Sequence, residues 1–137
     1  MTVTFNALHR VIKKGDLATL RNELNGGVSP NLSNRLSWTL LMLAALEGNT
    51  SIGELLISRG AALDSTNDFG ETALSLAAHK GHTPFVRLLL THGASVDCRP
   101  HGFDLEDSLR GTSGVPQDKI TLILGLIAGA REPRRGI

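Results

Sequence analysis

Residues 39–64, TLLMLAALEGNTSIGELLISRGAALD, fall without a gap on residues 72–97, TALSLAAHKGHTPFVRLLLTHGASVD, when the chain is shifted by 33 positions. Between 34–66 and 67–99, 13 of 33 positions are identical, where unrelated segments would share roughly two on composition alone. The chain is therefore built from a repeated unit. The same shift backwards aligns Gly15 with Gly48 and Gly81, and Gly27 with Gly60 and Gly93, so a more diverged copy precedes these two. Beyond Arg99 the register slips, because Gly129-Ala130 follow Gly93-Ala94 by 36 residues. The three extra residues are assigned to the loop RGTSGVP, 110–116. Units of about 1–33, 34–66, 67–99 and a degenerate 100–130 form one domain, followed by a polar, basic tail, 131–137.

Each unit reads as two short helices and a turn. Asn6, Thr39 and Thr72 occupy equivalent positions and are residue types whose side-chain oxygen accepts from an unpaired N–H at a helix start. The first helix keeps small residues inward, Ala44-Ala45 and Ala77-Ala78, so that neighbouring helices approach closely. Gly15, Gly48 and Gly81 stop it, since glycine readily takes the left-handed conformation that follows a helix end. The second helix carries the larger apolar groups: Leu20 and Leu24, then Ile52, Leu55 and Leu56, then Phe85, Val86, Leu88, Leu89 and Leu90. The remainder, such as ALDSTNDFGE at 62–71, has the Asp, Asn, Ser and Gly content of an extended turn.

GETALSLAAHKGH (70–82) and VRLLLTHGASVD (86–97), with their counterparts one period earlier, resemble the ankyrin repeat over roughly residues 5–130. The resemblance implies an all-α solenoid of antiparallel helix pairs, three clear and one degenerate, with projecting β-hairpin or loop fingers and a concave face that holds partner proteins. The family's T-P-L-H opening stands here as Asn6-Ala7-Leu8-His9, Thr39-Leu40-Leu41-Met42 and Thr72-Ala73-Leu74-Ser75. Proline is missing throughout, and the fourth unit lacks the opening altogether. Fewer hydrogen bonds between units, and modest stability, are expected.

The remaining features narrow the function classes. A formal charge of +1 sets up no field for nucleic acid or an anionic membrane surface. The most apolar run, ITLILGLIAGA (120–130), is about half of the roughly 20 residues needed to span a bilayer. Lone Cys98 excludes an intrachain disulfide, and the start of the chain carries no secretory signal, so cytoplasm and/or nucleus is expected. On that reading the N-x-S/T matches at Asn31 and Asn49 are not glycosylated. Cys98 is expected on a finger as an exposed or half-buried thiol. The histidines His79, His82 and His92 cluster in sequence only: a helix break separates the first two, and no four-ligand set completes a metal site. Local turn hydrogen bonding is the reading for His82, whose counterparts are Asn49 and Asp16. No nucleophile motif or phosphate loop is present, so no enzyme, cofactor or metal is expected.

Aromatic residues point instead to binding. Phe5 and Trp38 are 33 apart, Phe69 stands at a finger tip and Phe103 in the next finger. Exposed aromatics dominate protein-binding hot spots. By the resemblance, Arg35, Leu36, Trp38, Leu46, Glu47, Asp68, Phe69, Glu71, His79, Lys80 and Phe103 form the partner-binding surface, with Phe5 either joining it or closing the exposed end. The expected function is a non-enzymatic adaptor, scaffold or inhibitor gripping a partner protein. The rival reading is a structural repeat fragment of a larger protein or complex, docking through its apolar last helix. That helix is either covered by the tail REPRRGI, giving a monomer, or offers a strip for self-association.

Overall fold

In the computed structural model, which describes residues 3–131, helices succeed one another at the interval set by the repeat. The first unit folds as α1 (Phe5–Lys14) and α2 (Leu17–Asn25), the second as α3 (Leu40–Glu47) and α4 (Thr50–Ser58). The third comprises α5 (Ala73–His79) and α6 (Thr83–Thr91), and the fourth α7 (Leu105–Arg110) and α8 (Gln117–Arg131). First helices stack α1 on α3 on α5 on α7, and second helices stack α2 on α4 on α6 on α8. The result is a two-layered, all-α array in which each unit buries its apolar flank against the next.

Local chemistry sets the helix ends. Thr39 and Thr72 accept from the N–H groups of Met42 and Ser75, both at 3.2 Å. Ser75 reciprocates, its hydroxyl accepting from Thr72 N–H at 2.9 Å, which completes a capping box. In the first unit the cap is Thr4, whose oxygen accepts from Ala7 N–H at 3.2 Å, and not Asn6. A cap must reach an N–H three residues on, and Thr4 does so, which starts α1 at Phe5 and draws Phe5 and Asn6 into its first turn. Gly48, at φ 69°, closes α3 in the left-handed region.

Small residues sit where the layers touch. Ala44, Ala45, Ala77 and Ala78 are buried between the stacked first helices. In the second layer Gly53 of α4 makes room for the buried ring of Phe85, because a Cβ there would lie 2.7 Å from Phe85 Cε2. Three residues spaced by 33 link the units along one edge. Asn31 Oδ1 accepts from Ala62 N–H at 2.7 Å, Asp64 Oδ1 accepts from Ser95 N–H at 2.8 Å, and Asp97 Oδ1 accepts from Arg131 Nη1 at 2.6 Å.

The fingers are loops, not β-hairpins. Among the described residues there is no strand, only an isolated antiparallel bridge between Ser33 and Thr39. The reason lies in one repeated side chain. Asn34 Oδ1 accepts from the N–H groups of Leu36 and Trp38, both at 3.0 Å, and Asn67 Oδ1 accepts from those of Phe69 and Glu71, at 2.9 and 3.0 Å. A carboxamide thus takes donors that a ladder would have used. Successive tips are joined by Asp68 N–H to Leu36 O at 3.0 Å and His101 N–H to Phe69 O at 2.8 Å.

The fourth unit has the inserted loop between α7 and α8, as the register predicts. α8 turns Ile120, Ile123 and Ile127 inward and leaves Leu122 exposed. Arg131, assigned above to the tail, is the last residue of α8. Its guanidinium bonds Asp97, the carbonyl of Val96 and both carboxylate oxygens of Glu106. That contact holds Glu106 below the usual carboxylate range and pushes Arg131 further up. The rest of REPRRGI, 132–137, lies outside the described residues, and so does its expected packing over α8. No described helix is long and apolar enough to cross a membrane.

Candidate binding face

First helices and finger loops together form one face. On it Phe5 and His9 of α1, Asn34, Leu36 and Trp38 of the first finger, and Leu43 and Leu46 of α3 surround a hollow of about 270 Å³. Trp38 is fixed there by its backbone, since its N–H and carbonyl both bond Asn34. Its ring is half-buried, so part of it faces the hollow. Phe5 packs at a tilt on His9, ring centres 6.5 Å apart. Beside this hollow a second depression is lined by Thr4, Phe5, Asn6, Ser33, Asn34, Arg35 and Leu36.

Of the residues singled out in the sequence, Arg35, Leu36, Trp38 and Leu46 are brought together by these two depressions. Phe69 belongs to the next finger, 45% exposed, with its ring 5.9 Å from that of His101. Glu71 is turned toward its own finger, accepting from Asn67 Nδ2 at 3.0 Å and lying 3.5 Å from His101 Nε2. Asp68 is exposed at the second tip, and Phe103, 64% exposed, at the third. Glu47 and Lys80 are exposed at the ends of α3 and α5.

His79 differs from the others. It is half-buried between α5 and α7, with Nδ1 donating to Ser75 O at 2.6 Å and Nε2 bonded to the Ser108 hydroxyl. Its ring ties the third unit to the fourth. His82 likewise bridges units rather than bonding its own turn: Nε2 donates to Leu46 O at 2.9 Å, and the start of α6 has no side-chain cap. Its counterparts Asn49 and Asp16 do cap locally, accepting from Ile52 and Thr19 N–H. Among the described residues no group of three or more His, Cys, Asp or Glu could hold a metal ion. Cys98 is buried, not exposed, and burial pushes its thiol up, so little reactive thiolate forms.

Phe5, left open in the sequence between joining the face and closing the exposed end, lines the hollow together with His9 and Leu43, which carry no pattern that separates them from ordinary helix positions. The finger-building role of Asn34 and Asn67 had a signal: both are asparagine at the same place in the repeat. A family model for ankyrin repeats, in three copies, matches residues 8–100. No curated protein matches the chain.

Proposed function

The chain belongs to the ankyrin-repeat family, whose repeats are in general protein–protein interaction modules, and on that premise we propose that it is a non-enzymatic adaptor, scaffold or inhibitor. It grips a partner protein on the face of fingers and first helices, in the cytoplasm and/or nucleus. The observation that carries this reading is the apolar hollow of Phe5, Leu36, Trp38, Leu43 and Leu46, continued along the finger tips by exposed Phe69 and Phe103. Rigid helix pairs hold these anchors in place, so little ordering entropy opposes binding. A single cysteine, which can form no intrachain disulfide, fits a reducing compartment.

The experiment compares partners captured by the wild-type chain with those captured by the W38A/F69A double variant. The variant is expected to keep its helical circular dichroism and lose the partners. Equal capture by a folded variant refutes the assigned face. For the last helix, one observation favours a monomer: Leu122 is the exposed large apolar residue that α8 presents among the described residues, because its isoleucines face inward. Sedimentation at high concentration is expected to show a single monomeric species, and a concentration-dependent dimer abolished by L122E would restore docking through α8.

A further inference from the structure

We propose that the hollow between the first two units receives a single bulky apolar side chain from a charge-split segment of the partner, acidic toward the first unit and basic toward the flank that carries Glu47 and Asp68. This deepens the binding-face reading and rests on it. Shape decides the first half of the proposal. The hollow of about 270 Å³ is open and shares Phe5, Asn34 and Leu36 with the depression beside it, so it does not enclose a small-molecule ligand, yet it has room for one large side chain. Its walls are mainly apolar, from Phe5, Leu36, Trp38, Leu43 and Leu46, with His9 and Asn34 at the edge. Such a wall stabilises an aliphatic or aromatic anchor and penalises a charged one.

Charge decides the second half. Arg35 lines the adjoining depression on the side of the first unit. Arg10 follows Asn6 by four residues on α1, and Lys13 follows His9 by four, so both continue the rows that line the two depressions. All three are exposed, and none forms an ion pair with a described carboxylate. On the opposite flank stand Glu47, four residues past Leu43 on α3, and Asp68, whose N–H bonds the carbonyl of Leu36. These two are also exposed and without an ion pair among the described residues, and the cation Lys80, at the end of α5, lies one unit beyond Glu47. Cations on one side of an apolar socket and carboxylates on the other select a segment of opposite polarity, and they reject its reverse by like-charge repulsion.

The test selects a displayed library of random dodecapeptides on the wild-type chain and reads the order of residues around the anchor. Acidic residues on one side of a Phe, Leu, Ile, Met or Trp, and basic residues on the other, are expected. Selected peptides made synthetically are then titrated while following Trp38, the chain's one tryptophan, whose emission is expected to shift saturably. R35E is expected to weaken these peptides about fivefold, the scale of one exposed ion pair, and to relax the preference for acidic residues alone. L36E, at an exposed tip, is expected to weaken anchor binding with circular dichroism unchanged.

Selected peptides without an apolar anchor, with one charge sign on both sides, or that bind without moving Trp38 emission, would overturn the proposal, as would a selection that enriches nothing. The two levels separate cleanly. Should W38A/F69A lose its partners while the selection shows no charge order, the face stands and the partner chemistry falls. Should W38A/F69A keep its partners, the underlying reading falls.

Discussion

Asn34 and Asn67 perform the same act at the same place in successive units, yet removing them should cost different amounts. Each carboxamide oxygen accepts from two backbone N–H groups at 2.9–3.0 Å. Asn34 is exposed, so in N34A the N–H groups of Leu36 and Trp38 regain water, and the loss is about 1 kcal/mol. Asn67 is 5% exposed, and its Nδ2 also donates to Glu71 Oε1 at 3.0 Å. N67A therefore strands two donors in a part-buried site and releases Glu71, a loss of about 2–4 kcal/mol. Urea unfolding followed by circular dichroism measures both, with an unchanged slope confirming that only stability has moved. N67D sharpens the comparison. It keeps the acceptor but sets a second carboxylate against Glu71, so it should also destabilise, whereas N34D should be nearly neutral. Equal losses in N34A and N67A would refute the claim that burial, rather than the bond count, sets the value of these fingers.

Glycines in the second layer should respond in opposite senses. G53A gains up to ~1 kcal/mol of helix propensity but drives its Cβ to 2.7 Å from the buried ring of Phe85, so thermal unfolding should show net destabilisation. G125A meets nothing within 4 Å and should stabilise by roughly 0.5–1 kcal/mol. R131Q should lower stability by about 1 kcal/mol at neutral pH, since the contact is partly exposed and screened by solvent. Glu106 is held below its ordinary value in the folded chain, so that contribution is present above the unfolded carboxylate pKa and disappears as pH falls through the folded one. The difference between wild type and R131Q in urea should accordingly be constant near neutrality and shrink below about pH 4.5. Native Cys98 should react with a thiol reagent far more slowly than the unfolded chain does, given its burial.

The repeat was legible because stacking leaves every unit the same problem. Capping threonines, inward alanines and terminal glycines recur at 33 residues wherever a neighbour lies on both sides. Among the described residues the first unit packs against a neighbour on one side, and there the register points to Asn6 as the cap while the chain uses Thr4. Between hairpin and loop fingers the sequence does not decide, since a turn-rich composition does not reveal that Asn34 and Asn67 satisfy the donors a ladder would need. Leu36, Trp38 and Leu46, placed on one face by the family resemblance, line one hollow. The tie that His79 makes to the fourth unit is not legible, because the Ser108 hydroxyl it meets comes from the degenerate unit, where no register can be carried over. Arg131 shows the same limit. With the three-residue insertion counted it falls where Ser95 stands, but only the fold reveals that its longer side chain reaches both Asp97 and Glu106.

Recognition by fingers and first helices, with second helices serving as scaffold, is tested most directly by placing a photo-crosslinking amino acid at position 36 and, separately, at position 87, both exposed. Position 36 lies at a finger tip beside the hollow, and position 87 on the outer layer in α6. A discrete protein adduct from position 36, absent from position 87, is the predicted result. The same adduct from position 87 with none from position 36 would contradict it.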